Sequence, residues 1–165
     1  MLTGQPGYVW ALAWFGALLG LGLAAGCRGR APYENKTVAE LEAMLRSGDA
    51  AAAAQGAHGL SRLGSEARPA VPALIEAVYS KDTLVRENAA LALAKIGPDA
   101  RDAVKALTET LDDREWTVRR QAALALGQIG PPEARTAIPA LTRLAQDPDH
   151  LVRQAAKEAL AKIRK

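Results

Sequence analysis

The sequence contains few of the residues on which catalytic and disulfide-rich proteins depend. Cysteine occurs once in 165 residues, which excludes an internal disulfide framework. That cysteine and two histidines, His58 and His150, do not form a cluster with the ligand spacing of a metal site. There is also no glycine-rich phosphate loop, no serine nucleophile motif and no matched carboxylate pair. The residues therefore indicate no enzyme and no cofactor.

Charge is absent from one end of the chain. Residues 1–27 contain no Asp, Glu, Lys or Arg, whereas residues 28–165 carry all 21 basic and all 18 acidic side chains. The net charge of +3 is small, and both signs are interspersed along the charged part. A basic face for nucleic acid is therefore not indicated, and nothing in the sequence suggests a small-molecule substrate. The expected partners are an unidentified protein and a membrane.

The uncharged end contains an apolar run of nineteen residues, from Tyr8 to Gly26. Its length reaches the threshold for crossing a bilayer, and aromatic residues at its leading edge suit a membrane interface. The run ends in Leu23-Ala-Ala-Gly-Cys27. Small residues before a cysteine resemble the lipobox of bacterial lipoproteins, although Ala24 stands where that family favours Leu, Val or Ile. The resemblance implies cleavage before Cys27 and lipidation of its thiol.

Two topologies follow from this segment. As a lipoprotein signal, residues 1–27 would leave the rest of the chain outside the cytoplasm, anchored in the bacterial cell envelope by lipid on Cys27; we favour this interpretation. As an uncleaved transmembrane anchor, the segment would keep the chain in the cytoplasm, because Arg28 and Arg30 follow the apolar run directly. In both cases residues 28–36 are predicted to be a linker and residues 37–165 a folded domain.

One segment of that domain occurs three times. Residues 85–97 return as residues 118–130 and again as residues 152–163, at spacings of 33 and 34 residues. A fixed period in this range indicates stacked repeats. Apolar residues three and four apart precede each copy and indicate a first helix in each repeat. The sequence thus predicts an all-α fold, an α-solenoid of about four helix pairs (roughly 37–68, 69–101, 102–135 and 136–165), preceded by an N-terminal hydrophobic helix.

The pattern Val-Arg-x-x-Ala-Ala-x-Ala-Leu-(Gly/Ala)-x-Ile-Gly, preceded by (Val/Ile)-(Pro/Lys)-Ala-Leu, resembles HEAT repeats of the short type also found in phycobilisome lyases. The resemblance covers residues 69–165 well and residues 37–68 weakly. In the first repeat Ala52 and Ala53 replace the Val-Arg pair, and Gly56 and Gly59 replace alanines. Since each glycine costs a helix about 1 kcal/mol, we expect an N-terminal cap with a frayed second helix.

The resemblance implies a surface for binding proteins rather than a reaction chamber. HEAT-like iron hydroxylases that modify a lysine carry paired His-Glu dipeptides, whereas this chain has His58-Gly and His150-Leu. We therefore predict a non-catalytic, membrane-tethered scaffold. One alternative is a chromophore (bilin) lyase or a lyase subunit, although four alanine-rich repeats offer little room for a chromophore pocket. The other is an assembly factor for an envelope complex.

An acidic residue precedes each arginine of the recurring segment by four positions. This spacing predicts structural ion pairs within or between repeats, with the acid at the start of each second helix. The residues concerned are Asp82, Arg86, Glu115, Arg119, Asp149 and Arg153.

The predicted protein-binding surface is the face of each second helix opposite its buried stripe. In a HEAT-like superhelix the second helices are expected to line the concave side, with Leu91 and Leu124 as apolar anchors inside a polar rim. A merely solvated face is the alternative. Tyr79 and Trp116, at turns between paired helices, are either contact residues or packed against the next repeat. The candidate binding residues are Glu87, Asn88, Leu91, Lys95, Arg120, Gln121, Leu124, Gln128, Gln154 and Glu158.

Overall fold

A computed structural model describes residues 31–165. The predicted N-terminal hydrophobic helix and the predicted lipidation site, Cys27, lie outside the described residues. Among the residues that are described, no helix has the length and apolar character needed to cross a membrane. The folded unit begins at Ala31, because Tyr33 packs against the core and its ring meets that of His58 edge-on at 4.9 Å. The described part of the predicted linker is therefore attached to the first repeat.

Residues 31–165 form eight α-helices in four consecutive pairs, which confirms the predicted all-α solenoid. The helices are α1 (Val38–Leu45), α2 (Ala50–Leu63), α3 (Val71–Ala77), α4 (Thr83–Ile96), α5 (Val104–Thr110), α6 (Trp116–Ile129), α7 (Ile138–Leu144) and α8 (His150–Ile163). Each first helix has seven or eight residues and each second helix has 14. We call the contacts between successive pairs the first, second and third junctions.

Short 3-10 helices connect the pairs, at Gly64–Ala70, Gly97–Ala103 and Glu133–Ala137. The glycine that closes the recurring pattern follows three of the four second helices. Gly64, Gly97 and Gly130 have φ of 57°, 72° and 70°, with ψ of −129°, −134° and −171°. This is a positive-φ region outside the usual left-handed well and is essentially restricted to glycine. It turns the chain sharply from each second helix into the 3-10 segment.

The core lies between the two helix layers and is built largely from leucine and alanine. Leu74, Leu93 and Leu107 are fully buried, as the three- and four-residue spacing predicted. Second helices pack against one another in one continuous row, α2 to α4 to α6 to α8, whereas first helices contact mainly their own partners and the 3-10 segments. Alanine permits the second helices to pack this closely, since a small side chain lets neighbouring helix axes approach.

Helix α2 differs from the expectation of a frayed helix. It runs for 14 residues, as long as its three counterparts, and its glycines are buried against α1. A Cβ atom on Gly56 would lie 2.6 Å from the backbone oxygen of Leu41, and one on Gly59 would lie 2.5 Å from Cδ2 of Leu41. The two glycines therefore permit close packing between α1 and α2. Helix propensity alone does not include the stabilisation from this packing.

Candidate protein-binding surface and the ion pairs between repeats

The arginine of the second repeat joins two repeats. In Arg86, Nε and NH2 donate to Oδ2 and Oδ1 of Asp113 at 2.7 and 3.0 Å, while NH1 donates to the carbonyls of Ser80 and Lys81 at 2.9 and 3.1 Å. The side chains of Arg86 and Asp113 are only 8% and 11% exposed. A two-pronged, nearly buried pair of this kind fixes the geometry of both groups, so it holds the second junction in register.

The third junction repeats this geometry. Nε and NH2 of Arg119 donate to the two oxygens of Asp147 at 2.8 and 3.1 Å, and NH1 donates to the carbonyls of Asp113 and Arg114. In the last repeat, NH1 of Arg153 donates to the carbonyls of Asp147 and Pro148, both at 2.8 Å. All three guanidinium groups are thus anchored on the turn that precedes their own helix.

The acids four positions before these arginines are not their hydrogen-bonded partners, so the pairing lies between repeats. Asp82 and Asp149 instead cap their helices, accepting from the amides of Val85 and Val152 at 3.1 Å each. A carboxylate at this position satisfies an otherwise unpaired amide of the first turn. Glu115 occupies the same position without a side-chain capping bond.

The environment of the two partner aspartates favours their ionised form. Burial of Asp113 opposes ionisation, but hydrogen bonds from Arg86 and from the amide of Glu115 outweigh it and hold the pKa of Asp113 below its ordinary value. The same balance, with Arg119 and the amide of Asp149 as donors, lowers the pKa of Asp147. Both ion pairs are therefore fully charged at neutral pH.

The first junction lacks this ion pair. Ala53 stands in the place of the arginine, and Ser80 stands in the place of the aspartate. Ser80 keeps one part of the aspartate's role, because its Oγ accepts from the amide of Asp82 at 3.2 Å. Asn88 supplies a different link, donating to the carbonyl of Ala54 at 3.2 Å. A surface cavity of about 610 Å³ opens beside Ala53, Ala77 and Ser80, so the repeats leave more room than the sequence indicated.

The predicted binding residues form one discontinuous surface along the second helices. Lys95, Gln128, Gln154 and Glu158 are exposed, whereas Glu87, Asn88, Leu91, Arg120, Gln121 and Leu124 are half-buried. Leu124 packs partly against the core, and Asn88 is engaged with α2. These two therefore have structural contacts that the sequence did not reveal. We call the ten residues together the second-helix face.

The structure brings part of this face together between α6 and α8. Arg120, Leu124, Gln154 and Glu158 line a shallow depression of about 140 Å³ with Leu151. Nε2 of Gln154 donates to Oε1 of Glu158 at 2.8 Å along α8. An apolar floor of two leucines beneath polar and charged side chains is the composition of a modest protein contact. The depression is too small for an organic cofactor.

Three further large apolar side chains are exposed. Tyr79, Leu84 and Trp116 are 56%, 61% and 41% exposed. Tyr79 is tied to the third repeat, because its hydroxyl donates to Oε2 of Glu109 at 2.7 Å. Burial, together with that carboxylate, raises the pKa of Tyr79 to about 12. The sequence pattern did not single out Leu84, because the equivalent residues of the next two repeats, Thr117 and Leu151, are not both apolar.

Side chains that commonly bind metal ions are dispersed over the described residues. Within residues 31–165, no three side chains of His, Cys, Asp or Glu are grouped so that they could hold a metal ion. His58 lies against Tyr33, and His150 is exposed at the start of α8. Neither histidine lies in a group of this kind.

The repeat pattern, the stacked pairs and the inter-repeat ion pairs together correspond to one family. Residues 38–114 and 104–165 match HEAT repeats. The chain belongs to the HEAT-repeat family. No curated protein matches the chain.

Solved structures agree with this assignment. An engineered protein is 29% identical over 77% of this chain and 62% of its own, with a TM-score of 0.68. The complex of CpcE and CpcF of phycocyanin lyase from Nostoc is 28% identical over 81% of this chain and 56% of that chain, with a TM-score of 0.65. Human deoxyhypusine hydroxylase is 27% identical over 79% and 44%, with a TM-score of 0.59. The chain thus spans less than two thirds of each of these structures.

Proposed function

We propose that this HEAT-repeat chain is a non-catalytic scaffold that binds a protein through the second-helix face. The observation that carries the proposal is the continuous row of second helices, whose outer residues differ between copies while the buried residues recur. Recurring residues build the stack, and residues such as Glu87, Arg120 and Gln154 are free to fit a partner. Repeat arrays commonly use such an extended surface for recognition.

The half-buried leucines are the expected energetic centre of this contact. Leu91 and Leu124 occupy equivalent positions 33 residues apart on α4 and α6, with exposed polar residues around them. Apolar anchors surrounded by a polar rim contribute most of the affinity at protein interfaces. Smaller substitutions are preferable to charged ones in a test, since Leu124 also packs against the core.

Site-specific photocrosslinking in membranes would test the proposal. A photoreactive residue at Lys95 or Gln128 on the second-helix face should give a discrete protein adduct, whereas one at Arg101 or Arg135, which are exposed on the 3-10 segments, should not. The double variant Leu91→Ser, Leu124→Ser should lower the yield of the Gln128 adduct at least tenfold. Equal adducts from both sides of the molecule would contradict the proposal.

A matched variant separates binding from folding in this experiment. Ile75→Ser removes a half-buried apolar side chain from α3, in the layer of first helices, and should leave the yield unchanged. Circular dichroism should show comparable helicity for both variants. If the crosslinked partner is a subunit of an envelope complex, and the chain is needed only while that complex assembles, the chain is an assembly factor instead.

Membrane attachment through residues 1–27 is the second part of the proposal. The uncharged run and Cys27 support a lipoprotein in the bacterial cell envelope, and an uncleaved anchor with cytoplasmic repeats is the competing topology. Intact mass of the membrane-extracted protein distinguishes the two. A chain that begins at Cys27 and carries acyl mass fits the lipoprotein, and an unmodified full-length mass rules it out.

A chromophore-lyase role is a second candidate, favoured by the likeness to the phycocyanin lyase complex. The cavity of about 610 Å³ at the first junction is within the size range of small-molecule sites. Incubation with a bilin and an acceptor protein tests this role. A covalent bilin adduct that depends on the chain would establish the lyase, and its absence would leave the scaffold.

A further inference from the structure

The arginine of the last repeat is held like its counterparts but has an unused edge. NH1 of Arg153 makes the same two bonds to the preceding turn that NH1 of Arg86 and Arg119 make. In those two, Nε and NH2 grip both oxygens of an aspartate. Within residues 31–165, no side chain pairs with Nε or NH2 of Arg153. We propose that Arg153 is a preformed binding site for a carboxylate of a partner protein.

The two inner repeats show what this edge can hold. Arg86 and Arg119 are chemically identical to Arg153, have the same anchors, and each binds one carboxylate through two parallel hydrogen bonds. The anchoring of NH1 removes much of the rotational freedom that an exposed arginine loses on binding, so the entropic cost of capture is already reduced. The planar fork of arginine matches a carboxylate in a way that lysine cannot.

The residues around Arg153 indicate an acidic segment rather than a further stacked repeat. Ala90 and Ala123, four residues after Arg86 and Arg119, are fully buried. The equivalent residue in α8 is Lys157, which is exposed. Arg164, also exposed, stands where Gly97 and Gly130 turn the chain in the inner repeats. Since a long charged side chain occupies the position where the inner repeats bury an alanine, another helix pair would not pack here as the inner ones do.

The charge of this end of the stack fits the same partner. Arg153 and Lys157 lie four residues apart on one stripe of α8, and Arg164 continues that stripe just after the helix ends at Ile163. The neighbouring carboxylates are engaged, since Asp147 binds Arg119, Asp149 caps α8 and Glu158 accepts from Gln154. The end therefore presents net positive charge, which attracts an extended acidic peptide.

Fluorescence anisotropy of the full chain in a neutral detergent tests the site. The probe is a labelled octapeptide in which aspartate alternates with serine, and the control peptide has asparagine in place of aspartate. Wild-type protein should bind the acidic probe and not the control. Arg153→Gln should raise the Kd at least tenfold, and Arg153→Lys, which keeps the charge and loses the fork, should raise it several-fold.

Two controls make the result decisive. Arg143→Gln removes an exposed arginine from α7 and should change the Kd less than twofold; Lys157→Gln should change it two- to threefold. Equal effects of Arg153→Gln and Arg143→Gln, or equal binding of the asparagine peptide, would overturn the proposal. So would tight binding of phosphatidylglycerol vesicles that Arg153→Lys leaves unchanged, because this outcome assigns the charge to a lipid surface. The second-helix face is not involved, so its failure would leave this test unaffected.

Discussion

The first junction and the two later junctions are held together by different chemistry. At the second and third junctions, a nearly buried arginine from one repeat grips an aspartate of the next. At the first junction, both members of that pair are absent together, replaced by Ala53 and Ser80, and a surface cavity lies beside them. At a junction between two repeats, the arginine and the aspartate are therefore kept or lost together, because either alone would be a buried unpaired charge.

The largest expected effect comes from breaking a later junction. Asp113→Ala leaves the guanidinium of Arg86 in a site that is 8% exposed on its side chain, without its charged partner. Loss of one member of a buried ion pair costs about 3 to 5 kcal/mol, so the free energy of unfolding should fall by about 3 kcal/mol or more. The measurement is urea denaturation followed by circular dichroism.

The matched change at the first junction is Ser80→Ala. Ser80 occupies the equivalent turn but holds only the amide of Asp82, so its loss should cost about 1 kcal/mol, the worth of one neutral hydrogen bond. Equal destabilisation by the two variants would show that the junctions are held in the same way.

A loss between these two is expected from disturbing the close contact between α1 and α2 in the first repeat. Gly56→Ala places a Cβ 2.6 Å from a backbone oxygen of Leu41, and overpacking of this kind costs about 1 to 3 kcal/mol. Gly59→Ala should also destabilise the protein, because its Cβ would lie 2.5 Å from Cδ2 of Leu41 and 2.8 Å from Cβ of Tyr33. Increased stability of Gly56→Ala, as helix propensity alone predicts, would refute the close-packing role. Thermal melting of both variants decides between the two.

The smallest effect comes from restoring the missing pair. Ala53→Arg together with Ser80→Asp should place a third inter-repeat ion pair at the first junction, where the cavity provides space. Each single substitution should destabilise, since it adds an unpaired charge, and the double variant should recover about 1 kcal/mol or more relative to their sum. Additive losses in urea denaturation would mean that the turn geometry, and not only the residue pair, differs between the junctions.

Most of the fold could be predicted from the sequence because it depends on local spacing. Apolar residues three and four apart gave the buried stripe of each first helix, including Leu74 and Leu107, and the recurring glycines gave the ends of the second helices. The 3-10 helix after Gly97 was not predicted, because short 3-10 segments have no strong residue pattern.

The ion pairs could be predicted only in part. The acid four residues before each arginine suggested a local partner. The actual partners are Asp113 and Asp147, which lie 27 and 28 residues further along the chain. The sequence did contain one signal of this pairing. Asp113 and Asp147 recur at the repeat spacing, and at the first junction both residues of the pair are replaced, the arginine by Ala53 and the aspartate by Ser80. For the binding face, the positions followed from helical phase, but the burial of Leu124 and the engagement of Asn88 depend on neighbouring repeats.

A double-mutant cycle on Arg86 and Asp113, with a parallel cycle on Arg86 and Asp82, tests the central claim most directly. At neutral pH the account predicts a coupling free energy above about 1.5 kcal/mol for Arg86 with Asp113 and a clearly smaller value for Arg86 with Asp82. Because the pKa of Asp113 is lowered in the folded state, its stabilisation is complete above the ordinary value of 3.8 and should be lost as the pH falls through the lowered one. A larger coupling to Asp82, or none to Asp113, would contradict the account.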